Sequence, residues 1–227
     1  SQLELKYFDG KGLAETSRLI MAMSGKPYTD TRWKMDMSKP YGKRCEGFMK
    51  AKADGDLLMN LDRAPLLLVD GTAIAQSKTI ERYLARRVGL YGANEVEAAQ
   101  IDAIGEHIRD MKEMHGKAAD KAVFKSETLP AFLGKLEKVA GSTKGCLVGK
   151  SLSLADIQLY EVVCEYFPSR EAYESTKDGG SASAGGLASG EAALLKDCPK
   201  LTASVVAVKA HPNIAKHVAG RNYTAPW

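Results

Sequence analysis

The chain is poor in the features that commit a protein to a disulfide scaffold, a metal or a membrane. It has only four cysteines, Cys45, Cys146, Cys164 and Cys198, separated by 101, 18 and 34 residues. No C-x-x-C pair therefore exists for zinc or for thiol exchange, and all four are expected to be free thiols. The four histidines, His107, His115, His211 and His217, lie eight and six residues apart within their pairs. Neither interval stacks two imidazoles on one helix face, so no metal site is expected. Nowhere does the chain reach the roughly 18 consecutive apolar residues of a membrane-spanning helix. Glu4, Lys6, Asp9 and Lys11 interrupt the start, where a secretion signal would carry its apolar run. A cytoplasmic protein with no membrane partner is the expectation. The net charge is +4, but 32 basic residues are scattered among 28 acidic ones with no run of five like charges. Nucleic acid is therefore not an expected partner.

What remains is an ordinary globular composition, 44% hydrophobic and 26% charged. At about 150 residues per domain, 227 residues suit one large domain or two small ones. A chain of this size buries roughly 70% of its unfolded surface and needs no covalent staple.

Leu3, Leu5 and Tyr7 alternate with Glu4, Lys6 and Phe8, the two-residue period of a short strand. Leu13, Ile20 and Met23 then fall at helical spacing, closed by Gly25 and Pro27. Tyr28 to Lys34 is rich in β-formers, so the opening reads β-α-β with a right-handed crossover and a parallel strand pair. Residues 35–63 support one short helix around Cys45 to Ala53. Pro65 opens the strand PLLLVD, Asp70 and Gly71 form a two-residue hairpin turn, and TAIA returns. Ile80, Tyr83, Leu84 and Val88 then mark a helix over 77–88, stopped by Gly89.

Beyond residue 90 the pattern is helical throughout, over about 94–116, 128–141 and 200–209, with a short helix after Pro212. A first domain over 1–88 in the order β-α-β-α-β-β-α, and an all-helical domain over 93–227, follow. In Leu152-Ser153-Leu154-Ala155-Asp156-Ile157, Ser153 can cap a helix while Asp156 reaches back to it. Residues 168–197 are rich in Gly, Ser and Ala and lack the apolar bulk to repay ordering, so they read as a mobile insertion.

Three strings in order, LKYFDGKGLAETSRL, APLLLVDGTAIAQSKTIERYLARRVGLYG and LVGKSLSLADIQLYE, resemble the cytosolic glutathione transferases, nearest the alpha and sigma classes. The resemblance spans most of the chain and fails mainly at 35–60 and in the insertion. It implies a thioredoxin-like α/β N-terminal domain, an all-α C-terminal domain, a homodimer, and conjugation of glutathione to small hydrophobic electrophiles in detoxification. Glutathione enters as co-substrate, and no cofactor is implied.

The chemistry such an enzyme needs can be stated independently. A thiol with a pKa near 8.5 is mostly protonated at neutral pH, and only the thiolate is the nucleophile. A phenol at a strand end, facing a helix N-terminus, can donate a hydrogen bond to the sulfur anion without adding charge. Tyr7 is placed for this, although position alone also fits a plain strand tyrosine. The resemblance further implies a cis Pro65 that presents the main chain of Ala64 to the tripeptide, and Gln76 and Ser77 holding the γ-glutamyl carboxylate at a helix start. Ser77 also fits an ordinary helix cap. Arg63 and Lys52 are candidates for the glycyl carboxylate. Asp102 corresponds to an acid that reaches the ligand amine of a second subunit.

The chain departs from its look-alikes at three positions. Leu13 stands where many carry an arginine that assists the thiolate, Arg63 where relatives often have glutamine, and Leu61 where an aromatic often locks the dimer. Phe8, Leu13, Ile108 and Met111 are the candidates for an apolar electrophile pocket, expected between the domains, although Ile and Met at helical spacing also fit plain core. Glu15 and Arg18, one turn apart, most simply form a local ion pair. A binding or structural module on the same fold, or a glutathione-dependent isomerase of the prostaglandin D synthase type, would share the resemblance.

Overall fold

The computed structural model describes residues 1–141, 145–168 and 193–223. Most of the Gly/Ser/Ala-rich stretch read as a mobile insertion lies outside the described residues. The chain divides into two compact units, Ser1–Val88 together with Lys216 onward, and Gly89–Ala215.

The first unit is built on four strands, β1 (Leu3–Phe8), β2 (Thr29–Trp33), β3 (Leu66–Val69) and β4 (Thr72–Ala75), in the order β2-β1-β3-β4. β1 and β2 are parallel, with α1 (Glu15–Ser24) as their crossover; the other two pairings are antiparallel. The two-residue period of β1 is visible as burial: Leu3, Leu5 and Tyr7 are buried, while Glu4, Lys6 and Phe8 are half-buried. Asp70 and Gly71, at φ 49° and 85°, are both left-handed. That is the type I′ geometry whose twist matches the strands it joins. α2 (Glu46–Ala53) and α3 (Ser77–Val88) complete the order read from the sequence.

α1 begins at Glu15, later than the spacing of apolar residues suggested. A single 3-10 turn over Gly12–Ala14 intervenes, and Leu13 is 57% exposed there and not on the helix's apolar face. α1 ends on Gly25 in the left-handed conformation, with its N–H bonded to Ala22. Leu57, Leu66, Ala51 and Ala75 form a core cluster with Trp33 and Phe48 packed against it.

The second unit is helical among its described residues. It contains α4 (Glu95–Lys117), the short α5 (Lys121–Val123), α6 (Leu129–Val139), α7 (Leu154–Tyr160), α8 (Pro199–Ala210) and the start of α9 (Pro212–Gly220). π-helical segments over Phe124–Thr128 and Glu161–Tyr166 extend α5 and α7, which the sequence reading did not anticipate. Every residue of α7 is buried, and it packs on α4 and α8. At Gly105 of α4 a Cβ would stand 2.6 Å from the Gln158 side chain of α7, so glycine permits the close approach of the two helices.

The α7 start forms the capping box read from the sequence. The Ser153 N–H and Oγ–H both donate to Asp156 Oδ2 at 2.8 Å. Oδ1 accepts from the Leu147 N–H at 2.8 Å and the Ser204 hydroxyl at 2.7 Å. One carboxylate thereby joins α7, the preceding loop and α8. Burial pushes its pKa up, opposed by these same hydrogen bonds. Replacing Asp156 with Ala strands several buried donors, and a loss of about 3 kcal/mol is expected. Urea unfolding of the full chain followed by circular dichroism checks it.

Candidate functional site

Sheet register assembles the candidate site. Lys6 pairs with Leu66 and Leu66 with Ala75, so the next residues at the same sheet end are Tyr7 on β1, Pro65 before β3 and Gln76 after β4. Residues sixty-nine positions apart in sequence, Tyr7 and Gln76, are thus aligned across three strands. The Ala64-Pro65 peptide bond is cis, and the Pro65 carbonyl accepts a buried 2.8 Å hydrogen bond from Asn60 Nδ2. α3 starts immediately after Gln76 and carries no acidic residue in its first turn, so its N–H end is available to an anion. Gln76 is exposed at φ 68°, and its carbonyl accepts the Ile80 N–H at 2.9 Å. Its left-handed backbone had no warning in its residue type.

Tyr7 is buried, with its phenol oxygen accepting the Leu13 N–H at 3.0 Å. The turn between them runs so close that a Cβ on Gly12, itself at φ 41°, would lie 2.5 Å from that oxygen. Leu13 brings no cation to Tyr7, and what reaches the phenol from this position is its main-chain N–H. On the other side of β1, Phe8 sits among aromatics, its ring centroid 4.9 Å from Phe48 and 6.0 Å from Trp33.

The remaining sequence candidates are distributed as follows. Lys52 is exposed and 3.6 Å from Asp62. Arg63 is exposed, and its Nε donates to the Asn60 carbonyl at 3.3 Å. Ala64 and Ser77 are half-buried, Ser77 as the first residue of α3. Asp102, Ile108 and Met111 belong to α4 in the second unit. Ile108 and Met111 are enclosed there, at 1% and 0% exposure.

Glu15 and Arg18 are not the simple local pair that their spacing suggests. Their charged groups approach to 3.7 Å, yet both side chains are fully buried. Glu15 meets three stronger partners from the far end of the chain: Arg221 Nη1 at 2.7 Å, the Tyr223 hydroxyl at 2.7 Å and His217 Nε2 at 3.3 Å. Arg18 donates from Nε to both Asp30 oxygens at 3.2 and 3.1 Å, and from Nη1 to the Gly10 carbonyl at 2.6 Å. No signal in the sequence pairs residue 15 with residues 217–223. Burial alone would raise the Glu15 pKa, but the His217 hydrogen bond, the Arg221 charge, the Tyr223 hydrogen bond and Arg18 outweigh it and hold it at about 2.

Among the described residues no group of three or more His, Cys, Asp or Glu side chains could hold a metal ion. The cysteines are free, and burial pushes the thiols of Cys45, Cys146 and Cys198 up, away from the reactive thiolate. No described helix is long and apolar enough to cross a membrane. What the first unit offers is a buried phenol beside a helix start, a cis-proline main chain next to it, and a second helix N-terminus at the end of the row.

Comparison with known proteins bears on this arrangement. Residues 103–178 match the family model for the glutathione S-transferase C-terminal domain. Mouse glutathione S-transferase A1 is 32% identical over 169 residues, covering 70% of this chain and 71% of the relative. The glutathione S-transferase structure from Ascaris lumbricoides superposes with a TM-score of 0.72 at 27% identity, covering 100% of both chains. A hookworm glutathione S-transferase from Necator americanus, described as monomeric, gives 0.69 at 26% identity over 99% of each chain.

A carboxylate whose folded pKa is depressed stabilises the fold fully above its unfolded value and loses that contribution as pH falls through its folded value. For Glu15 the window runs from 4.5 down to about 2, and on the order of 3 kcal/mol is lost across it. Glu15→Gln is expected to flatten this part of the acid unfolding profile. An acid limb of equal slope in both proteins would refute the assignment.

Proposed function

The chain belongs to the cytosolic glutathione S-transferase family, and from that premise we propose that Tyr7 is the group that keeps the sulfur of glutathione deprotonated. Glutathione is the co-substrate and no cofactor is required. The observation that carries the proposal is the 3.0 Å hydrogen bond from the Leu13 N–H to the Tyr7 oxygen. A phenol that accepts a hydrogen bond is polarised and becomes a stronger donor in its turn. Its O–H, offered to sulfur, favours the anion over the thiol. The thiol proton leaves to solvent, the thiolate pair forms a carbon–sulfur bond with the electrophile, and the displaced group departs with its bonding electrons. Each unit of thiol pKa lowered requires about 1.4 kcal/mol of preference for the anion, within reach of one charge-assisted hydrogen bond.

The tripeptide is held from both sides of Tyr7. The main chain at Ala64, followed by cis Pro65, offers an edge that the cysteinyl segment of glutathione pairs with as an added strand. The γ-glutamyl carboxylate meets Gln76, Ser77 and the free N–H groups of α3, where no acidic residue opposes it. Arg63 takes the glycyl carboxylate, since its planar guanidinium suits two-point recognition, with Lys52 as a second cation. Phe8 and the exposed Leu13 supply apolar surface for a hydrophobic electrophile in a detoxification role. A cytoplasmic setting suits the four free thiols.

The assembly we propose is a homodimer. Leu58, Met59 and Leu61 are 70%, 62% and 74% exposed within a four-residue stretch, a cluster of large apolar side chains of the kind that marks an interface. Leu61 projects from a backbone at φ 50°. In a dimer Asp102 of each copy would be available to the ligand amine bound by the other.

Tyr7→Phe is expected to raise the pKa of bound glutathione by about 1 to 2 units and lower kcat about 10- to 100-fold, with the KM for glutathione changed less than about threefold. Thiolate absorbance titration and steady-state kinetics measure both, and an unshifted thiol would overturn the role of Tyr7. Absence of any glutathione binding heat in the unaltered protein would instead indicate a non-catalytic module. For the dimer, sedimentation should give twice the chain mass, reduced to one chain by Leu61→Arg; a monomer at every concentration overturns it.

A further inference from the structure

We propose that Arg221 and Tyr223 are positioning residues for Tyr7, acting through Glu15 and Arg18 on the turn that carries the Leu13 N–H. This rests on the reading of Tyr7 as the thiol-activating group, and it extends that reading to residues more than two hundred positions away.

The contacts form an unbroken path within the first unit. Arg221 Nη1 and the Tyr223 hydroxyl each donate to a different oxygen of Glu15 at 2.7 Å. Arg18 lies 3.7 Å from the second of these oxygens. From there Arg18 donates to the Gly10 carbonyl at 2.6 Å and to the Phe8 carbonyl at 3.3 Å. Those two carbonyls bracket the chain as it leaves β1, and the Gly10 N–H closes the turn on Phe8 at 2.9 Å. Two residues past Gly10, Gly12 passes beneath the phenol, and Leu13 then donates to its oxygen. The Arg18 guanidinium also lies over both tyrosine rings, 5.9 Å from the centroid of Tyr7 and 5.1 Å from that of Tyr223.

A second strap runs parallel to the first. Arg32 of β2 donates to Asn222 Oδ1 at 3.3 Å, pairs with Asp9 at 3.0 Å, and lies over the Tyr223 ring at 5.4 Å. The 221–223 segment is therefore linked to Asp9 and Gly10 by two arginines.

The direction of the effect follows from burial. Glu15 has no exposed side-chain surface and cannot exchange a lost partner for water. Without Arg221, Oε1 keeps the His217 ring at 3.3 Å and the carboxylate leans on Arg18 at 3.7 Å; without Tyr223, Oε2 is left facing Arg18, whose Nη1 already holds the Gly10 carbonyl. Arg18 would close on Glu15 and release that carbonyl, loosening the turn that presents Gly12 and Leu13 to Tyr7. Displacement of a catalytic donor by a fraction of an ångström is enough to slow a reaction.

The test uses the full-length chain. Arg221→Ala, Arg221→Lys and Tyr223→Phe are compared with Tyr7→Phe for bound-thiol pKa, and for kcat and the KM for glutathione with an activated aryl halide. For Arg221→Ala the thiol pKa is expected to rise by about half a unit, and kcat to fall about three- to tenfold with KM changed less than about twofold. Tyr223→Phe shifts in the same direction by less, and Arg221→Lys recovers at least part of the loss. A purely structural role would lower the melting temperature and leave the thiol titration where it was. Should Tyr7→Phe shift the thiol while Arg221→Ala and Tyr223→Phe do not, the positioning role is overturned and Tyr7 keeps its own. Should Tyr7→Phe leave the thiol unmoved, both fall together. If Arg221→Ala does not fold, Tyr223→Phe, which removes one hydroxyl, decides the matter.

Discussion

A carboxylate sealed from water must be surrounded by donors, and in this protein that requirement organises the first unit. Glu15 opens α1, where an acid already favours the helix dipole, but the dipole alone does not compensate full burial. The compensation comes from Arg18 one turn on and from His217, Arg221 and Tyr223, which the chain returns after completing the helical unit. A compact α/β unit is thereby built from two stretches of sequence. Buried ion pairs add little stability compared with apolar packing, but an unmatched partner is costly. That cost disfavours arrangements in which residues 217–223 lie away from Glu15.

Around Tyr7 the main chain does much of what side chains do in other sites. The phenol is oriented by a backbone N–H, glycine clears space beneath it, and register brings Pro65 and Gln76 alongside. This explains how a leucine can occupy position 13 without leaving the phenol unsupported, since any residue except proline supplies the same N–H. Substitution in such a site can therefore be silent at some positions and severe at others in a pattern unrelated to side-chain chemistry. Gly12, which has no side chain, is among the most constrained.

The readable parts of the sequence were those in which cause and effect lie within a few residues. The alternation of Leu3, Leu5 and Tyr7, the Asp70-Gly71 turn and the Ser153-Asp156 box each act over a turn or a strand, and each stands in the structure where its pattern indicated. The row of Tyr7, Pro65 and Gln76 was accessible through family resemblance, because no local pattern links residues so far apart. Three features had no local signature. The start of α1 moved because a 3-10 turn took up Gly12–Ala14; the π-helical segments depend on packing within the helical unit; and the Glu15 cluster depends on where the chain end returns. Glu15 and Arg18 matched a surface ion-pair pattern, and only burial distinguishes that from what they form.

The discontinuity of the first unit bears on how this polypeptide can be taken apart. Severed after residue 88, the leading fragment retains all four strands and α1, α2 and α3, and by size and topology looks autonomous. It nevertheless carries an acid facing inward that keeps Arg18 but has left His217, Arg221 and Tyr223 on the other piece. A minimal stand-alone version would graft 216–223 back on through a linker, or receive it as a separate peptide, so the smallest folding unit is defined by where charges are settled and not by where the strands end.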